Sequence, residues 1–426
     1  MQISRIETLT HDDYPHILHV RLHTTDGLVG LGESFHHPEA LAQYIHTVIA
    51  PDLLGHDACN VAGAWLKMGA FTDGRQPFAG TISVESSATS AVDIALWDLR
   101  AKVLGLPLHD ALGGAVRDGI RVYNTAAETG HLPPPGTPAH RRSEFEDWGI
   151  GGPQSDEFDD WTASIERPGE LARELVAAGI TAMKIYPFHR LIGETRGLYI
   201  TRRQLQENVE IFRDVRNAVG DDIDIAADLG FCWAQAPALQ IAAALEEFGL
   251  MWIEDLVRTS AIDALANIAR VVRTPLAGFD YFAGLPAYMK AIESGALAIA
   301  RLDLQWVGGV SEATRIAGYA DAKGLGVVLH DCTGPVQWAT SLHCSVHFRN
   351  AVIQESVRAY YRIVYQSMIK AVPEVRDGRA FPLLGAGHGA ELLDAYVDGA
   401  RRVESTIRNG VFATEVLAGE HRLVRA

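Results

Sequence analysis

Three acidic residues in the second half of this chain each close a short apolar run: Asp228 after IDIAA, Glu254 after LMWI and Asp280 after TPLAGF. The interval is 26 residues both times. A strand, a loop, a helix and a return loop occupy about that length, so the spacing reads as consecutive βα units. Parallel strands end at one rim of their sheet, so the three carboxylates point into a single pocket. They repel one another there unless a hard divalent cation sits between them. Unrelated strand-end acids are the bland alternative, and equal spacing in three successive units argues against it.

The rhythm continues on both sides. Asp303 follows AIARL, His330 follows GVVL and Glu355 follows AVIQ, at intervals of 23, 27 and 25 residues. Upstream, Lys184 lies in AMKIY, and IRVY at 120–123 supplies an earlier strand. The strand candidates are 120–123, 182–186, 223–227, 250–253, 275–277, 298–302, 326–329 and 351–354. Helical patterns lie between most of them, at 169–178, 202–219, 236–248, 285–294, 310–323 and 336–347. Eight alternating units predict an α/β chain closed into a (β/α)8 barrel. An open doubly wound sheet would not gather side chains from seven successive strands at one site.

The first 115 residues have another grammar. Segments 2–9, 17–24 and 28–33 alternate apolar and polar residues, with the hairpin signal Asp26-Gly27 between the last two. Helical patterns follow at 39–50, 58–69 and 83–104, the last stopped by Gly105 and Pro107. This predicts an α+β capping domain over 1–115 and a barrel over 116–385. The segment 386–426 reads as a helix at 391–407 and a strand-like VFATEVL, packing back on the cap. The aperiodic stretch 131–160 reads as a lid, and 187–201 as a second insertion on the same side.

Composition narrows the classes. At 426 residues with 48% hydrophobic residues, the chain can bury two cores. A formal charge of −16 without an arginine-rich stripe argues against a nucleic-acid partner. No apolar run is long enough for a membrane span. The start MQISRIETLTHDD lacks the basic and apolar regions of a signal peptide. Cys59, Cys232, Cys332 and Cys344 have neither disulfide-like nor zinc-ligand spacing, which predicts reduced thiols and a cytoplasmic location.

On these motifs the chain resembles the enolase superfamily, and within it the mandelate racemase-like subgroup, over nearly its whole length. SAVDIALWDLRAKVLGLPLHDALGG at 90–114 is similar to the family's last cap-domain helix and its exit. The resemblance implies Mg2+ held by Asp228, Glu254 and Asp280. DLQWVGG and GLGVVLHD match the family's Asp-His dyad, which implies those roles for Asp303 and His330. AMKIY falls at the family's Lys-x-Lys motif, and QES places Glu355 at its late-strand carboxylic acid. A homo-oligomer, often an octamer, is also implied. Three departures stand out. Tyr186 occupies the place of the second lysine, Asp280 stands where glutamate is usual, and Leu229-Gly230 follows Asp228 where many relatives carry an asparagine two residues on. The strand-6 lysine of the muconate-cyclising relatives is here Asp303.

The expected chemistry is removal of the proton α to a carboxylate, with the enediolate charge falling on the cation. Neighbouring parallel strands lie about 4.8 Å apart, so Asp303 can reach His330 and raise its pKa. Lys184 is expected to face the substrate carboxylate. Glu355 is either a site acid or a rim carboxylate paired with Arg358. His36 and His37, at a hairpin exit, fall where the family places a substrate-capping loop. Dehydration of a sugar acid needs one base and one acid, and His330 can serve as either. Racemisation or epimerisation of a 2-hydroxy or amino acid needs a second base, Lys184 or Tyr186; Lys184 is near enough in sequence to lower the phenol's pKa. A metal-binding barrel without turnover is a third reading.

Overall fold

In a computed structural model, residues 1–68, 80–127, 149–153, 155 and 157–418 are described. The chain opens with a meander, β1 (Ile3–His11), β2 (Tyr14–Thr24) and β3 (Val29–Phe35). Eight parallel strands follow: β4 (Ile120–Thr125), β5 (Ala182–Ile185), β6 (Asp224–Asp228), β7 (Trp252–Glu254), β8 (Leu276–Gly278), β9 (Ile299–Leu302), β10 (Gly326–Leu329) and β11 (Ala351–Ser356). Each pairs with its successor, and β11 pairs with β4, closing the barrel. A short hairpin, β12 (Val375–Arg376) and β13 (Arg379–Ala380), adds to the outside of β4.

The helical patterns fall close to the observed helices, such as Arg202–Val219 and Pro335–His347. One helix between β7 and β8, Ile262–Ala269, had no separate signal in the apolar pattern. The lid expected over 131–160 lies mostly outside the described residues, and its end forms the helix Asp160–Glu166.

The expected helix at 391–407 is corrected. Helix stops at Gly399, and β14 (Arg401–Arg408) pairs antiparallel with β1, Thr406 opposite Arg5 and Arg401 opposite Thr10. β15 (Val411–Ala418) pairs with β14, so the chain end extends the cap sheet to the order β15-β14-β1-β2-β3. The free edge of β1 captured a segment whose local pattern did not demand a strand. No helix among the described residues is long and apolar enough to cross a membrane.

The helix Val84–Leu104 carries the cap's second layer. Ser83 and Ser86 form its capping box, and Gly105, at φ 68°, ends it as Gly105 and Pro107 predict. It lies directly on β3, because a Cβ at Gly30 or Gly32 would strike the carbonyl oxygens of Ala95 or Ala91. Two cap carboxylates then fasten the cap to barrel helices near the rim. Asp93 accepts from Ser311 N at 2.9 Å, in the first turn of the helix Gly309–Ala322. Glu33 accepts from Gln337 N at 2.9 Å and Val336 N at 3.3 Å, at the start of Pro335–His347. Free amides and the helix dipole both favour an anion there.

Candidate active site

Strand alternation stacks the barrel interior in layers. Tyr123, Ala182, Ala226, Trp252, Ala277, Val328 and Ile353 pack as one buried apolar cluster, with Ile299 against it. Two residues further along the same strands stand Thr125, Lys184, Asp228, Glu254, Arg301, His330 and Glu355. All but Arg301, Glu254 and Glu355 line one pocket, together with Asp280 and Tyr186. The side chains singled out from spacing therefore meet at one rim.

Oxygens of Asp228, Glu254 and Asp255 lie within 4.8 Å of one another and form an acidic triad able to hold a metal ion. The third member differs from the expected Asp280. Asp255 has φ 54°, which breaks strand alternation and turns two successive acids, Glu254 and Asp255, toward the site. Asp280 lies just past β8, the neighbour of β7, with its Oδ2 at 3.5 Å from Arg301 Nη2 and 3.8 Å from His330 Nε2. Its Oδ1 is buried without a hydrogen-bond partner among the described residues, an atom prepared for a ligand. An all-carboxylate donor set fits a hard divalent cation.

Lys184 Nζ sits among Glu254 (2.6 Å), Glu355 (2.9 Å) and Asp228 (3.3 Å). Burial and the nearby Arg301 oppose its charge, but Glu254 and Glu355 outweigh them and hold its pKa well above the usual lysine value. Burial pushes the Glu254 carboxyl up to about 8, against the pull of Arg301 and Lys184. At Glu355 burial acts in the same sense but loses to Arg301 and Lys184, so this carboxyl stays far below its ordinary range. The alternative pairing of Glu355 with Arg358 is not formed: Arg358 binds Asp160 at 2.5 Å and Glu174 at 3.2 Å.

The expected dyad is formed. His330 Nδ1 and Asp303 Oδ2 are 2.6 Å apart, both side chains buried. Asp303 is itself steadied by Gln305 N at 2.7 Å. With Nδ1 held, Nε2 is the nitrogen that meets the pocket, 3.2 Å from the Cys332 thiol. Burial alone would lower the imidazolium pKa; Cys332, Glu355 and the Asp303 hydrogen bond reverse this and raise it well above the usual histidine value. Burial pushes the Cys332 thiol up to about 11, so it is neutral near pH 7. The direction at His330 therefore stands on the two carboxylates.

On the other side stands Tyr186, with Lys184 Nζ 5.4 Å from its ring. Burial outweighs the expected downward pull of Lys184 on the phenol's pKa, and Asp228 and Glu355 add to burial, so the pKa rises well above 10. His189, on the turn after β5, also lines the pocket, its Nε2 3.3 Å from Asp228 Oδ1. It fills the space left by Gly230, where a Cβ would come within 2.6 Å of the imidazole. His36 and His37 both have positive φ, and the His36 ring stacks on Trp306 at 5.9 Å. Trp306 in turn lies 5.4 Å from the His330 ring, so His36 stands one ring behind the pocket wall.

Sequence spacing passed over Asp255, His189, Arg301 and Cys332. Two had a local signal: the second acid of IED and the arginine inside AIARL. His189 had none, since only the fold brings it to the space above Gly230.

Known proteins resemble this chain over most of its length. Residues 6–113 match the family model "Mandelate racemase / muconate lactonizing enzyme, N-terminal domain", and residues 168–396 match "Enolase C-terminal domain-like". A D-galactonate dehydratase of Verminephrobacter eiseniae is 27% identical, over 90% of each chain. An arabinonate dehydratase of Saccharolobus solfataricus is 25% identical over 80% of this chain and 79% of its own. A crystal structure of an enolase of the mandelate racemase subgroup from Agrobacterium tumefaciens superposes with TM-score 0.82 at 33% identity, covering 95% of this chain and 99% of that one.

Proposed function

The chain belongs to the mandelate racemase/muconate lactonizing enzyme family of the enolase superfamily, and from that premise we propose that it dehydrates a sugar acid to a 2-keto-3-deoxy acid. It is an enzyme of the lyase class, as its relatives named for galactonate, mannonate and arabinonate dehydration support. The observation that carries the reaction type is the asymmetry of the pocket. One wall holds an ordered Asp303–His330 pair, while the lysine and tyrosine opposite are poor bases, one tied to three carboxylates and the other buried as a neutral phenol.

In this reading Asp228, Glu254 and Asp280 would hold Mg2+. Asp280 is preferred to Asp255 because its Oδ1 is unsatisfied, whereas an oxygen of Asp255 already accepts from Phe279 N at 3.4 Å. When bound, the ion would supply positive charge beside the substrate carboxylate, which eases loss of the neighbouring proton. Lys184 faces that carboxylate and fixes its orientation. In its neutral form His330 takes the proton from C2 on Nε2, while Asp303 keeps the other nitrogen protonated and the ring in place. The same imidazolium returns the proton to the departing C3 hydroxyl. The C2–H and C3–O bonds break, water leaves, and the enol becomes the 2-keto acid.

His189 supports a second reading, epimerisation, because it adds an imidazole to the side of the pocket that carries Tyr186. Incubating the protein with Mg2+ and a panel of aldonic acids in D2O separates the two. Keto-acid formation supports dehydration. Deuterium appearing at C2 of otherwise unchanged acid, without keto product, overturns it in favour of epimerisation.

A further inference from the structure

Among the described residues, Arg301 is the one cation of the site that stays out of the pocket. It lies on β9 with its side chain fully buried, two residues before Asp303 and on the same face of the strand. Burying a guanidinium is unfavourable unless its donors are matched, and here both terminal nitrogens are matched to the site's acids and Tyr123, while Nε has no partner among the described residues. Nη1 donates to Glu254 Oε2 and to the Tyr123 hydroxyl, both at 2.6 Å. Nη2 donates to Glu355 Oε2 at 2.5 Å and lies 3.5 Å from Asp280.

These bonds give each carboxylate one oxygen held by Arg301 and one turned toward Lys184. Glu254 Oε2 also accepts from Trp252 Nε1 at 2.7 Å, so it is fully engaged below, while Oε1 meets Lys184 at 2.6 Å. Glu355 Oε2 also accepts from Asp331 N at 3.1 Å, while its Oε1 accepts from the Thr125 hydroxyl and meets Lys184 at 2.9 Å. A planar fork fixes the spacing of two acceptors, which a single ammonium on a flexible stem does not. Lys184 lines the pocket and can yield to a ligand; Arg301 sits beneath and cannot.

We propose that Arg301 is a positioning residue: a fixed cation in the barrel floor that orients Glu254 and Glu355 toward the pocket and so sets the site's affinity for a divalent cation. This rests on the reading of the pocket as a cation site. Outer groups that orient ligand carboxylates commonly alter metal affinity by about 10–100-fold when removed.

The test is calorimetric titration of the full-length protein with MgCl2 alone, comparing wild type, Arg301→Lys, Arg301→Met and Tyr123→Phe, with melting temperatures alongside. Positioning requires about tenfold weaker Mg2+ binding or more in Arg301→Lys, although the charge is kept. Tyr123→Phe, which frees Nη1 from one acceptor, should weaken it by a smaller factor, and it decides the matter if both arginine variants fail to fold. Wild-type affinity in Arg301→Lys, or in Tyr123→Phe when the arginine variants do not fold, overturns the proposal. So does tighter binding in Arg301→Met, which would make the guanidinium merely a competing charge. Absence of Mg2+ binding by the wild type overturns the cation-site reading, and the proposal with it.

Discussion

Two groups of buried acids do opposite work in this protein. At the seam between cap and barrel, Glu33 and Asp93 are satisfied by backbone amides at helix starts. At the rim, Glu254 and Glu355 are held largely by Arg301 and Lys184, and Asp280 keeps an oxygen without a partner among the described residues. Amide donors are fixed by the fold and leave nothing to exchange, so the seam acids stabilise. Lys184 can give way to a ligand, so the rim acids are available for chemistry. Burial alone does not distinguish the two groups; the identity of the donors does.

The largest effect expected from testing this contrast is at the dyad. His330→Asn should reduce turnover at least about 10³-fold, and Asp303→Asn about 10²–10⁴-fold through the wrong tautomer, with little change in melting temperature. Wild-type rates in Asp303→Asn would detach the pair from the chemistry.

Next come the ligand acids. Glu254→Gln should abolish Mg2+ binding measured by calorimetry, and Asp280→Asn should weaken it more than Asp255→Asn does. The reverse order would assign the third ligand to Asp255, as the tightest acidic triad has it.

A seam acid should behave differently. Glu33→Ala leaves two helix amides, Gln305 and His19 facing a void. It should cost about 3 kcal/mol in urea unfolding, because several buried donors lose their acceptor at once, with Mg2+ affinity unchanged in the folded fraction. Loss of Mg2+ affinity without loss of stability would erase the distinction between seam and rim.

A subtler test uses pH. Burial, partly offset by the hydrogen bonds from Ser311, raises Asp93 from 3.8 to about 7. The folded state therefore binds this proton more tightly than the unfolded chain. The resulting stability is complete below about pH 4 and is lost as pH rises through about 7. Asp93→Asn should remove that slope from a series of melts across the range; an unaltered slope would place its origin elsewhere.

The smallest effect should be at Tyr186→Phe, which deletes one oxygen of a neutral buried phenol. Dehydration should fall less than about tenfold if this phenol is no acid or base. A drop of several orders of magnitude, with C2 exchange surviving in His330→Asn, would move the base to the β5 side and make His330 the acid.

Much of this site was legible in the residues. Short apolar runs located the eight barrel strands within a few positions, and their even spacing placed Asp228, Glu254, Asp280, Asp303, His330 and Glu355 at a common rim. Other features escaped for identifiable reasons. Asp255 reaches the site only because its backbone adopts a positive φ, and His189 only because Gly230 leaves its volume empty. β14 formed because the edge of β1 was unpaired, an interaction between segments about 400 residues apart in the chain.

By itself, then, the order of residues determined which side chains share a face and which strand ends follow one another, since both depend on short-range geometry. Tertiary structure alone decided which donor each buried acid received. Glu33 and Asp93 met helix amides, and Glu254 and Glu355 met a guanidinium from β9. That assignment is a long-range matter of barrel closure and cap docking, which bring together groups that no local periodicity relates.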